Sequence, residues 1–208
     1  MQNRVIHIEK QFVINAPAET IFPLICPFGE YKWIPGWNFE LVHCPNKRIE
    51  QGTIFREVSS QPILMGSPFG KTTWTAVLHD PKNYTVHFKL ENRGSRTLYK
   101  IAMSANAGGG TLIKIDVNYQ ALNKLGNRVI ANNGREKIVF MFDFIYQMLT
   151  HFCETGEMIT LPQLRRRVSP PGSLTFFDKL FLMIAQFRQS RLRKVKSGRN
   201  VLAAGISG

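Results

Sequence analysis

The strongest constraint on this chain is a succession of six strand-like segments between residues 39 and 121, punctuated by turn chemistry. Segments 39–44, 53–58, 71–80, 84–91, 96–107 and 111–121 are rich in β-branched and aromatic residues. Their joints include Pro45-Asn46, Gln51-Gly52, Asp80-Pro81-Lys82-Asn83, Asn92-Arg93-Gly94 and Gly108-Gly109-Gly110. Short joints of this kind connect antiparallel neighbours, because parallel pairing requires a long crossover. The last segment alternates cleanly. Ile113, Ile115, Val117 and Tyr119 face one way, and Lys114, Asp116, Asn118 and Gln120 face the other. One face of the sheet is therefore wet and the other covers something apolar. Upstream, "RVIHIEKQFVIN" reads as a seventh strand ending at Asn15.

The covering element follows the sheet. After the polar stretch "NKLGNRVIANNG", read as a loop, residues 135–155 contain neither proline nor glycine. Ile138, Phe142, Ile145, Leu149 and Phe152 recur at helical spacing and define one face. A helix of that length spans roughly 30 Å. Asp143 and Gln147 interrupt it, so it does not read as a membrane span. Phe140, Met141, Phe144 and Met148 load its other sides, giving more apolar surface than one sheet face covers.

Between the first strand and the meander lies "APAETIFPLICPFGEYKWIPGW". Pro17 suits the first turn of a short helix running to about Ile25. Pro27 and Gly29 are expected to break it, and a second helix or turn then carries Tyr31 and Trp33 to Pro35-Gly36. Trp33 and Trp37 flank that turn, where large rings are hard to bury, which suggests an apolar rim around an opening.

This order of elements resembles the START-like superfamily, also called SRPBCC, which includes polyketide cyclase/dehydrase and lipid-transport proteins. The resemblance rests on "VINAPAETIFPLI", "YKWIPGW", "GTIFREV", "TTWTAVLHDPKNYTVHF" and "GGGTLIKIDVNY", in that order, and covers about residues 5–160. It implies an α+β helix-grip fold: a curved, seven-stranded antiparallel sheet around a long C-terminal helix, with a hydrophobic cavity between them. The superfamily holds lipid carriers, hormone receptors, aromatase/cyclases and co-chaperones, so fold alone does not select an activity.

On that arrangement the ligand-binding lining comes from Phe55, Trp74 and Phe88, then Tyr99, Met103, Ile115 and Tyr119 of the sheet. The helix adds Phe142, Ile145 and Leu149. Trp33 and Trp37, with the unusually apolar loop "SSQPILMGSPFG", form the expected entrance. Each aromatic taken singly also fits a packed core. The first functional reading is binding or transport of a hydrophobic small molecule or lipid. A polyketide cyclase-like enzyme on the same scaffold is the alternative, and it requires polar groups converging inside. Glu40, Glu57 and Tyr99 are candidates for inward polar groups, but nothing pairs them in sequence, and no catalytic residue is assigned. His7, His43, His79, His87 and His151 lack metal-ligand spacing, so neither a metal nor a cofactor is expected.

Composition adds the remaining constraints. Cys26, Cys44 and Cys153 are odd in number and widely spaced, which reads as reduced thiols. With no secretory pattern at the start, a cytoplasmic protein is expected. From Arg165 onward ten bases meet one acid, which is +9 of the total +13 and leaves +4 for residues 1–164. The basicity belongs to the tail and does not mark the whole chain as a nucleic-acid binder. The expected domains are a helix-grip unit at 1–160, a basic Pro/Gly linker at 161–172 and a basic amphipathic extension at 173–208. The extension combines Phe176, Phe177, Phe181 and Phe187 with a basic flank, so residues 173–199 suit a homodimer contact or an anionic membrane surface. The protein could then be peripheral to a membrane. An interaction protein acting through this tail is the third functional reading.

Overall fold

The computed structural model describes residues 3–46, 48–58, 71–132 and 134–168. The apolar loop 59–70 and the extension 173–208 lie outside the described residues. The chain divides into two compact units, residues 1–160 and 161–208.

The first unit is the expected helix-grip fold. Seven antiparallel strands, β1 (Val5–Ile14), β2 (Phe39–His43), β3 (Ile54–Glu57), β4 (Thr72–Asp80), β5 (Thr85–Glu91), β6 (Ser95–Ala105) and β7 (Thr111–Ala121), form one curved sheet. Its order is β1-β7-β6-β5-β4-β3-β2, so β2 to β7 run as a meander and β1 closes onto the last strand. The alternation seen in sequence fixes the register. Phe55, Trp74, Leu90, Thr97 and Tyr119 lie opposite one another across β3 to β7, and Ala76, Phe88, Tyr99 and Val117 form the next row. All of these are buried.

Helix α1 (Ala18–Ile21) passes into a 3-10 turn at Phe22–Ile25, followed by α2 (Pro27–Glu30). Pro27 starts this helix instead of interrupting one, because a proline at the first turn needs no N–H partner and carries a preset φ. Gly29 belongs to the same turn, where a Cβ would run into the carbonyl of Pro23. The stretch read as a polar loop contains α3 (Lys124–Ala131), whose N-cap Asn123 accepts a hydrogen bond from the Gly126 amide at 3.1 Å.

The long helix α4 (Gly134–Thr155) lies on the inner face, with Ile138, Phe142, Ile145, Met148 and Leu149 buried. It is fastened to β1. Lys10 Nζ donates to Asp143 at 2.9 Å, Phe12 stacks on Tyr146 at 4.8 Å, and the Tyr146 hydroxyl donates to the Val13 carbonyl at 3.2 Å. The partly exposed ion pair contributes at most about 1 kcal/mol, so apolar burial holds the helix. The second unit contains α5 (Leu161–Val168), where the sequence reads as the start of a linker. Among the described residues no helix is long and apolar enough to cross a membrane.

Candidate functional site

The inner face of β3 to β6 carries an unbroken series of rings. Phe55 stacks on Trp74 at 5.5 Å, and Phe88 meets both edge-on at 6.1 and 5.7 Å. Trp74 reaches Trp37 at 6.3 Å and Tyr99 at 6.4 Å, and Tyr99 meets Phe142 of α4 at 5.8 Å. The residues expected to line the interior are therefore all buried, Met103, Ile115, Tyr119, Ile145 and Leu149 included.

Trp33 and Trp37 are buried too, at 1% and 5% exposure, and form part of the wall without an exposed rim. Each indole N–H finds a backbone carbonyl, Trp33 that of Leu24 at 2.8 Å and Trp37 that of Pro27 at 3.0 Å. These bonds remove the polar cost that would otherwise hold a tryptophan at the surface.

One end of this apolar wall carries polar groups. Glu57 alternates inward beside Phe55 on β3 and is only 8% exposed. Its Oε2 accepts from the Trp74 indole at 3.3 Å. Burial pushes its carboxyl up to about 7, partly offset by that hydrogen bond. Glu30, on the last turn of α2, retains some exposure as a residue while its carboxyl is desolvated. Burial and the charge of Glu57 together raise it to about 8. Tyr99 is raised by burial and by Glu30, so its phenol stays neutral. Thr72 sits opposite Glu57 in the β3–β4 register and is 2% exposed, yet its hydroxyl has no hydrogen-bond partner.

Of the inward candidates, Glu57 and Tyr99 thus face the interior. Glu40 does not. It pairs on the outer face with Arg56 at 3.5 Å and Lys71 at 3.6 Å. Sequence reasoning missed Glu30 and Thr72. The available signal for Glu30 was a single acid inside the largely apolar stretch 21–37. The pair can do two things chemically. It can orient a ligand's polar end inside an apolar enclosure, or exchange protons near neutrality. His7, Glu9 and Asp116 cluster separately on the outer face of β1 and β7, exposed or half-buried. A crevice of about 460 Å³ opens beside α1 between Asn15, Glu19, Tyr84 and Thr111, and none of the expected lining residues reaches it.

No protein-family profile and no curated protein matches the chain. Solved structures do. The structure titled Ara h 8.0201 matches with a TM-score of 0.51 and 14% identity over 73% of this chain and 99% of that one. A protein of unknown function from Staphylococcus aureus matches with a TM-score of 0.57 and 11% identity, over 74% of this chain and 97% of that one. At such identities the likeness concerns the fold alone, an α+β helix grip.

Proposed function

We propose, from the premise of a START-like helix-grip fold, that the chain binds an apolar small molecule or lipid between the inner sheet face and α4. The observation that carries this reading is the set of polar groups at the end of an aromatic wall. A buried hydroxyl without a partner costs about 1–3 kcal/mol and two desolvated carboxyls cost more. A folded protein retains such groups where a ligand satisfies them. Pockets for apolar ligands share this composition, an apolar lining with a few orienting polar groups.

Native mass spectrometry of freshly purified full-length protein, with organic extraction of what it carries, tests the reading. The expected result is an apolar compound at a fixed stoichiometry, or uptake of one from a mixed lipid and polyketide-like library. A clean apo mass with no uptake would sink it.

A second reading is favoured by one specific feature. Glu57, raised to about 7, and Glu30, raised to about 8, suit a base and an acid that exchange protons at neutral pH, as a cyclase-like enzyme requires. Incubating the extracted compound with wild type and with Glu57→Gln separates the two. A product formed only by wild type supports catalysis, and an unchanged compound in both leaves binding alone.

A further inference from the structure

We propose that the polar end of the ligand is an organic ammonium, held by Glu30, Glu57 and Thr72 within the aromatic wall of Trp37, Trp74 and Tyr99. This rests on the ligand-binding reading above and adds the chemical class of the ligand.

The charge pattern is the first argument. The chain carries +13, and Glu40, Glu50, Glu91, Asp116 and Asp143 each meet a lysine or arginine. Among the described residues no cation pairs with Glu30 or Glu57, although these two are the most desolvated carboxyls described. Segment 59–70, which joins the strands of Glu57 and Thr72, contains no lysine or arginine. Among the described residues these two acids lack a counter-charge, and where ionised they attract a cation and repel an anion.

The Thr72 hydroxyl is the second, independent argument. It is 98% buried from solvent by its 2% exposure, lacks a partner, and lies directly across from Glu57 on the same inward face. An ammonium has several N–H donors, and two carboxylates with one hydroxyl supply acceptors for them. The wall is the third. Trp74, whose indole N–H reaches Glu57, meets Trp37 at 6.3 Å and Tyr99 at 6.4 Å edge-on, so aromatic rings cluster beside this carboxyl. Aromatic rings attract organic cations. A hard metal ion is poorly matched, because it demands six or more oxygens and gains nothing from rings. The titratable groups coupled to the pair among the described residues are Tyr99 and Cys26. Both are raised, so both are neutral and do not compete for the cation.

Empty, the pair retains protons near neutrality; an entering ammonium favours the ionised carboxylates and drives those protons into solution. The test uses full-length protein and a matched series: 1-naphthylmethylamine, 1-naphthalenemethanol and 1-naphthoic acid. Equilibrium dialysis at about pH 7.5, where the amine is charged, should give the amine at least about tenfold tighter than the alcohol, with the acid weakest. A pH-stat in unbuffered solution should record about one proton released per amine bound and none for the alcohol. Glu57→Gln should cut amine affinity about tenfold and change alcohol affinity by much less. If that variant fails to fold, Glu30→Gln and the wild-type proton count decide. Equal binding of amine and alcohol, tightest binding of the acid, or amine binding without proton release would overturn the ammonium assignment and leave apolar binding standing. Binding of none of the three would overturn the ligand-binding reading itself, and this inference with it.

Discussion

Glu57→Gln is also the sharpest probe of the interior acid pair in the absence of any ligand. A rise from 4.5 to about 7 means the folded state holds a proton that the unfolded chain has released. The folded carboxyl is therefore the better proton binder between these values. Its contribution to stability is fully present below about pH 4.5, the unfolded value, and is lost as pH rises through 7. At about 1.4 kcal/mol per pH unit, the loss between about pH 4 and 8 amounts to roughly 3 kcal/mol. In a chain of this size that is roughly 6–12 °C in Tm. Glutamine keeps a carbonyl oxygen for the Trp74 indole but cannot ionise, so the variant lacks this term. It also removes the charge that helps raise Glu30, whose pKa should fall toward the value set by burial alone. Urea unfolding at several pH values, followed by tryptophan fluorescence, gives both curves, and the difference isolates Glu57 together with its effect on Glu30. The variant should overtake wild type in stability as pH rises. Parallel curves within about 0.5 kcal/mol would refute the account of a desolvated Glu57.

Three further substitutions test the packing. Gly109 and Gly110 both have positive φ, 93° and 72°, but a Cβ at Gly110 would run into the Ile14 carbonyl, while one at Gly109 meets nothing within 4 Å. Gly109→Ala should cost roughly 1–2 kcal/mol of conformational energy, and Gly110→Ala clearly more, in urea midpoints; equal costs would contradict the close β1–β7 approach. Phe142→Ala, at a fully buried position against Tyr99, should cost about 3–5 kcal/mol. A loss below about 1 kcal/mol would mean that α4 is not held by this face.

The sheet was legible because its signals are local. Turn residues separated the strands, and the alternation through Ile113, Ile115, Val117 and Tyr119 set the inward face without tertiary information. The same periodicity marked α4. Helix α3 escaped because Gly126 and Asn127 lower helix propensity, and only the Asn123 cap and the packing of Gly126 against the Gly94 carbonyl outweigh them. The tryptophans misled for a different reason. A turn-flanking position favours exposure on average, but the carbonyls of Leu24 and Pro27 were within reach of their indoles. The acid pair was half legible. Strand alternation turned Glu57 inward, but its neighbour Glu30 comes from another element, and no spacing rule joins a helix end to a strand across the core. Burial and the absence of a counter-charge exist only after folding.

The placement of β1 has a consequence for synthesis. Every strand from β3 onward pairs with the one made just before it, whereas β1 pairs only with β7, Ile14 opposite Thr111 and Val5 opposite Gln120. At a synthesis rate of about 5–20 residues per second, the first strand leaves the ribosome roughly 5–20 s before its partner exists. During that wait Ile6, Ile8 and Ile14, later buried, have no sheet to join. The first-made strand is thus placed last, together with the helix that β1 anchors through Lys10 and Phe12. A nascent chain that stops before residue 111 holds neither β1's partner strand nor the helix, so the domain matures in one late step and no such product inherits its core.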